Sequence, residues 1–329
     1  MKTAATGAPG EIGSVKEAGH RFMSNVGRVV VGREATLELI LVALLCEGHV
    51  LVEDVPGMGK TLLAKAVARS LGCHFKRIQC TPDLLPSDVT GIHYYNQRTG
   101  EFEFRPGPIL ANIVLADEIN RTTPRTQACL LEAMQEQQIS VDRETISLPR
   151  PFMLMATQNP IELEGTFPLP EAQLDRFLLK VGLGYPSVEE EGAILNRFQQ
   201  ENPLDNLRHI LEAKELLGLQ GACRRVFVEG SVRGYLLAVS RATREHPDIR
   251  LGASPRASLG LLLACQALAA LRGRDHVIPD DVKHLAGPVL THRLLPRTEA
   301  RLKGRAIEQI LREILQTVPV PVEDKSRRD

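Results

Sequence analysis

The nine residues Glu53-Asp54-Val55-Pro56-Gly57-Met58-Gly59-Lys60-Thr61 carry the densest chemistry in this 329-residue chain. Two glycines, a lysine and a hydroxyl at this spacing suit a loop whose backbone N–H groups cradle phosphate oxygens. In that reading Pro56, Gly57, Met58 and Gly59 wrap the phosphates, and Lys60 reaches the β- and γ-phosphates. The Thr61 hydroxyl would sit on Mg2+. The pattern G-x-x-x-x-G-K-[ST] is met except at its first position, where Asp54 replaces glycine. Asp tolerates positive φ better than most residues, so the turn is expected to survive. Repulsion from phosphate predicts that the Asp54 carboxylate points away. The bland alternative is a glycine turn that binds nothing.

Two further segments argue against that alternative. Ile113-Val114-Leu115-Ala116 ends in Asp117-Glu118, which places two carboxylates at the C-terminal tip of a buried strand, where open α/β sheets bind ligands. Asp117 can hold Mg2+ through water, and Glu118 can orient and polarise an attacking water. Phe152-Met153-Leu154-Met155-Ala156 is a third apolar run, ending in Thr157-Gln158-Asn159-Pro160. The Asn159 amide can help hold that water, or it can be a turn residue before Pro160. The nine histidines and six cysteines show no H-E-x-x-H or C-x-x-C spacing, so no dedicated metal cluster is expected.

The elements that must position these groups can be read from periodicity. His49 to Val52 is a strand ahead of the loop, and Leu62 to Arg69 has helical spacing after it. Helices are expected over residues 11–26 and 33–46. Between them Val29-Val30-Val31-Gly32 is either core or an apolar corner for a nucleotide base. Phe75 to Gln79 alternates as a half-buried strand does. Ile92 to Tyr95 and Glu101 to Phe104 pair as a hairpin, and a second hairpin turns at Asp142-Arg143-Glu144. Such insertions are more often functional than filler; Tyr94, Tyr95 and the second tip are expected to face a partner or, in the ring implied by the resemblance described below, its axis, the bland alternative being a solvated decoration. Pro170 to Arg176 reads as a short helix before the strand Leu178 to Leu183. Gly184-Tyr185-Pro186 is an expected boundary, followed only by helices over about 187–200, 211–219, 229–246, 254–272, 279–293 and 300–317. Ser254 caps one of them with Pro255 at its first position.

Composition is that of a globular chain: 43% hydrophobic and 24% charged residues, with 40 basic side chains matching 40 acidic ones. That balance disfavours a nucleic-acid partner. The longest apolar stretch, Leu259 to Leu271, contains Gln266 and is too short to span a bilayer. The first residues lack the apolar core of a signal peptide. Scattered cysteines in apolar surroundings suit a reducing cytoplasm.

Taken in order, the motifs resemble those of an AAA+ ATPase of the MoxR family. The resemblance runs from about residue 28 to residue 295 and rests on Val52–Thr61 (Walker A), Phe102–Pro108 (FEFRPGP) and Val114–Arg121 (VLADEINR, Walker B). It continues with Gln127–Gln135 (QACLLEAMQ), Ala156–Pro160 (ATQNP, sensor 1), Gly165–Phe177 (GTFPLPEAQLDRF) and Gly252–Ala257 (GASPRA, sensor 2). It implies an α/β P-loop fold with a five-stranded parallel core over residues 28–186 and an all-helical lid over 187–317. An N-terminal tail and helix (1–27) and a C-terminal tail (318–329) complete the expected division. It also implies ATP and Mg2+ as cofactors, a ring of six copies, a protein client, and a partner carrying a von Willebrand factor A domain. Arg176 matches the arginine-finger position and Arg256 the lid arginine that touches the γ-phosphate of its own subunit. Gln79 is a candidate for switching Glu118 between active and inactive poses. Members mature or insert cofactors into protein complexes; the alternative from a related group is a motor on nucleic acid. No Asn-Lys-x-Asp segment is present to read guanine, and intact Lys60, Asp117 and Glu118 argue against a non-hydrolysing scaffold.

Overall fold

A computed structural model of the chain describes residues 9–142, 144–159, 165–200 and 202–321. Most of the two expected tails, Arg143 at its hairpin tip and Pro160 lie outside the described residues. In chain order the helices are α1 (Pro9–Val26), α2 (Glu34–Leu45), α3 (Lys60–Ser70), α4 (Pro86–Thr90), α5 (Pro124–Glu136), α6 (Glu171–Leu174) and α7 (Val188–Gln200). They continue as α8 (Ala213–Cys223), α9 (Gly230–Glu245), α10 (Pro255–Leu271), α11 (Pro279–Leu290), α12 (Thr298–Leu302) and α13 (Ile307–Thr317). The strands are β1 (Val50–Glu53), β2 (Phe75–Gln79), β3 (Gly91–Asn96), β4 (Glu101–Pro106), β5 (Ile113–Asp117) and β6 (Gln138–Val141). After them come β7 (Glu144–Ser147), β8 (Met153–Gln158), β9 (Leu179–Val181), β10 (Ile249–Leu251) and β11 (Leu295–Pro296).

Contacts divide the chain into two units, Ala18–Gly218 and a second made of Leu219–Asp329 with Met1–Glu17. The first is built on a five-stranded sheet in the order β2-β5-β8-β1-β9, every pair parallel. Parallel strands covered on both faces must be apolar along their length, and β5 is buried at all five residues. On the edge strand β2 only Ile78 is buried, which is why that segment alternates in sequence. Leu51, Ile78, Val114, Leu130, Leu154 and Phe177 belong to one core cluster around the sheet. Both expected hairpins form: β3 pairs with β4 (Tyr95 opposite Phe102) and β6 with β7.

The boundary expected at residues 184–186 falls inside the first unit. Backbone hydrogen bonds explain this, since Ile210 and Leu211 N–H groups donate to the Ser70 carbonyl. Arg197 also donates to the Gly27 and Arg28 carbonyls. The second unit is built mainly of helices, with the short antiparallel pair β10–β11 in addition. A continuous helix over 300–317 does not form; α12 ends and α13 begins anew. Gly304 explains the break: it adopts φ +70° and its N–H closes on the Arg301 carbonyl, a left-handed stop that glycine makes at no steric cost.

His49, immediately before β1, is fully buried in the sheet core. Nε2–H donates to the Met134 carbonyl at 3.0 Å, and Nδ1 accepts the Leu154 N–H at 3.0 Å. Those roles define a neutral ring, and burial pushes its pKa down to about 4. Between pH 6.5 and 4 the unfolded chain then binds a proton that the folded chain refuses. Stability is therefore expected to fall across that window as pH drops, by on the order of 3 kcal/mol from this group. Urea unfolding as a function of pH should show this slope, and His49→Gln should flatten it; an unchanged slope would remove His49 as its source.

Candidate nucleotide site

The loop between β1 and α3 owes its shape to its two glycines. Gly57 (φ +86°) and Gly59 (φ +84°) supply the left-handed backbone, and no atom lies within 4 Å of where a Cβ would stand on either. Asp54 does not carry the positive φ that its place in the motif suggested. Its carboxylate points away from the loop as expected: Oδ2 accepts the Leu183 and Gly184 N–H groups at 2.6 and 2.8 Å, and Oδ1 accepts the Val55 N–H. Asp54 thus ties the loop to the end of β9. Glu53 adds a second tie, taking Gln158 Nε2–H at 2.6 Å and Lys180 Nζ–H at 2.8 Å. Lys60 Nζ donates to the Asp54 carbonyl at 2.8 Å, and Thr61 is half-buried in the first turn of α3.

Sheet register brings the carboxylates to this loop. Asp117 follows Ala116, which faces Ala156, while Thr157 faces Val52. With strands about 4.8 Å apart, Asp117 lies about 10 Å across the sheet from the strand that feeds the loop. Asp117 is buried, and its Oδ1 accepts the Thr157 hydroxyl at 2.6 Å. Arg77 Nε and Nη2 donate to Oδ2 at 3.0 and 2.6 Å. Glu118 adopts φ 59°, ψ 51°, a left-handed conformation that costs a side-chain-bearing residue roughly 1–2 kcal/mol. Its N–H is anchored on the Thr157 hydroxyl at 2.8 Å. Glu118 Oε2 meets Arg121 Nε at 3.1 Å and accepts Gln79 Nε2–H at 3.3 Å. The Cys80 thiol beside them is pushed up to about 12, by burial first and then by the two carboxylate charges, so it stays protonated.

Asn159 is buried just past the tip of β8. Arg176 is half-buried, and its Nη1 donates to the Leu131 carbonyl on α5 at 2.8 Å. Arg256, in the second unit, is exposed in the first turn of α10. That turn is capped by the Ser254 hydroxyl, which accepts the Ala257 N–H at 3.0 Å. Val29 and Val30 are buried and Val31 half-buried.

Comparison with known proteins fits this geometry. Residues 49–179 match the family model described as ATPase family associated with various cellular activities (AAA), and residues 241–314 match the AAA lid domain. A crystal structure from Cytophaga hutchinsonii ATCC 33406 superimposes with a TM-score of 0.89 at 37% identity, covering 95% of this chain and 98% of that one. YeaC of Bacillus subtilis (strain 168) is 51% identical over 94% of this chain and 96% of its own. Chaperone MoxR1 of Mycobacterium tuberculosis (strain ATCC 25618 / H37Rv) is 45% identical over 92% of this chain and 82% of its own. The chain belongs to the MoxR family of AAA+ ATPases. It is an ATP hydrolase on a P-loop fold with a parallel sheet and a lid. No helix among the described residues is long and apolar enough to cross a membrane.

The residues present fit the cofactors that a MoxR ATPase implies. An open, left-handed glycine loop at the start of a helix can take phosphates. A threonine hydroxyl and a carboxylate are oxygen donors suited to Mg2+, which keeps most of its ligands as water and phosphate.

Two members of this constellation, Thr157 and Arg77, escape sequence reasoning. Each reaches Asp117 only through strand register, which no local spacing encodes. Thr157 is fully buried and serves both Asp117 and the Glu118 backbone. Thr157→Val keeps its shape but leaves both groups without that partner. It is expected to cost about 1–3 kcal/mol in urea unfolding and to lower ATP turnover at least about tenfold. Wild-type stability and turnover in this variant would show that the anchor is dispensable.

Proposed function

We propose that this MoxR ATPase is a chaperone-like machine that couples ATP hydrolysis to remodelling or maturation of protein complexes, including cofactor or metal insertion. The observation that supports the nucleotide part is that Asp117-Glu118 and the Gly57–Thr61 loop follow the C-terminal ends of β5 and β1, the two strands that flank β8 in one parallel sheet. The chaperone part is supported by a relative at 45% identity that is itself named a chaperone.

In this reading Pro56 to Gly59 wrap the phosphates, Lys60 neutralises the β- and γ-phosphates, and Thr61 and Asp117 hold Mg2+, Asp117 through water. When bound, Mg-ATP supplies the phosphoanhydride bond and screens its charge. Glu118 orients and polarises the attacking water, with Asn159 assisting. Arg256 acts as the lid arginine toward the γ-phosphate, with the nucleotide core ending near residue 218 and the lid following it. Arg176 completes the site of a neighbouring copy in a homo-hexamer, because its permanently charged fork suits charge developing on phosphate oxygens. The hairpins support a client-facing role: Ile92, Tyr94, Tyr95 and Phe102 leave apolar surface exposed. His93 Nδ1 pairs with Asp142 at 2.9 Å and so joins the two hairpins. A partner with a von Willebrand factor A domain, a protein client and the cytoplasm complete the assignment.

Phosphate release and nucleotide affinity test it together. Lys60→Ala should lose affinity at least about tenfold, and Glu118→Gln should bind ATP without hydrolysing it. Arg176→Ala should also be nearly inactive, since a residue supplied in trans is worth on the order of 10³–10⁵ in rate. Mixing Arg176→Ala with Glu118→Gln should restore hydrolysis at junctions that combine an intact site with an intact Arg176. Turnover by Glu118→Gln alone, or no recovery when labelled subunits demonstrably exchange, would contradict these roles. Stimulation of hydrolysis by DNA or RNA instead of protein would favour the nucleic-acid motor.

A further inference from the structure

Asp117 has both carboxylate oxygens committed. Thr157 donates to Oδ1, and Arg77 grips Oδ2 with two N–H groups. The same Arg77 Nη2 donates to Gln79 Oε1, and Gln79 turns its Nε2–H toward Glu118 Oε2 at 3.3 Å. One guanidinium on the edge strand therefore holds the first carboxylate directly and the second through a single amide. A carboxylate held in this way cannot also face a hydrated cation on the Oδ2 side.

We propose that Arg77 is a positioning residue that competes with the divalent cation for Asp117 and links that competition to the pose of Glu118. The inference rests on the assignment of Asp117 to Mg2+ made above. Arginine keeps its charge at any working pH, so Arg77 leaves Asp117 only in favour of another cation. Its side chain is 46% exposed against 12% for Asp117, so a released guanidinium regains water while the carboxylate stays in place on Thr157. On release, Gln79 loses the bond to its Oε1 that keeps its N–H groups aimed at Glu118. Glu118 then loses one of the ties on its Oε2, with Arg121 still beside it, and turns more readily toward a water. Gln79 and Asp117 are register partners across β2 and β5, and Arg77 lies two residues earlier on the same face of β2. That placement lets one side chain reach both groups. The plainer possibility is a cross-strand tie that only holds β2 to β5; such a tie affects stability and leaves cation dependence alone.

The test measures affinity for a non-hydrolysable ATP analogue across a MgCl2 series, with wild-type and variant full-length protein. Arg77→Gln is expected to lower the Mg2+ concentration for half-maximal binding about tenfold, equivalent to about 1.4 kcal/mol, with little change in affinity in EDTA. Arg77→Lys keeps the charge with a single contact and should shift by about threefold in the same direction. It carries the test if the glutamine variant does not fold. A half-saturation that is unchanged or raised in the folded variant would overturn the proposal while leaving the nucleotide site intact. Failure of the wild type itself to bind the analogue would overturn the site assignment, and the competition with it.

Discussion

A carboxylate at the tip of a fully buried strand needs partners, and Asp117 finds them only across the sheet. Burying it without hydrogen bonds would cost several kcal/mol. Thr157 from β8 and Arg77 from β2 remove that cost, and each arrives by parallel register. The interior strand β5 can therefore end in an acid only because both neighbours, β2 and β8, are aligned to within one residue. A slip by one would turn Thr157 to the opposite face and would strip the Glu118 N–H of its acceptor as well.

The same economy applies at the loop. Glu53 and Asp54 lie where negative charge would oppose phosphate, yet both carboxylates are spent on ties to β8, β9 and the residues after it. The loop is anchored at its opening by side-chain oxygens, while the left-handed backbone is left to Gly57 and Gly59. Glu118 has the opposite arrangement, with its backbone strained and its ends tied down by Thr157, Arg121 and Gln79. Strain of this kind persists where the surroundings over-determine it.

Local patterns were legible in the sequence wherever the physics is local. The glycine loop, the apolar runs of β5 and β8, the Ser254-Pro255 helix start and both hairpins follow from spacing or turn chemistry. What escaped depends on partners distant in the chain. Arg77 reads as an ordinary outward residue of a half-buried strand, and Thr157 as one more polar residue before a turn. The break at Gly304 was hidden because the apolar residues on either side continue at helical spacing. The β10–β11 pair was hidden because strands of three and two residues carry no period. Attachment of residues 187–218 to the first unit depends on backbone bonds to Ser70 and on the Arg197 side chain donating to the Gly27 carbonyl, which composition does not register.

The central claim is that Asp117 keeps Thr157 and exchanges Arg77 when the site is loaded. A crystal structure of the Glu118→Gln protein with Mg-ATP measures this directly. The Thr157–Asp117 hydrogen bond should stay near its 2.6 Å length. Arg77 Nη2 should move from 2.6 Å to beyond hydrogen-bonding distance of Asp117. An Arg77 still doubly bonded to Asp117 with metal and nucleotide in place would contradict the account.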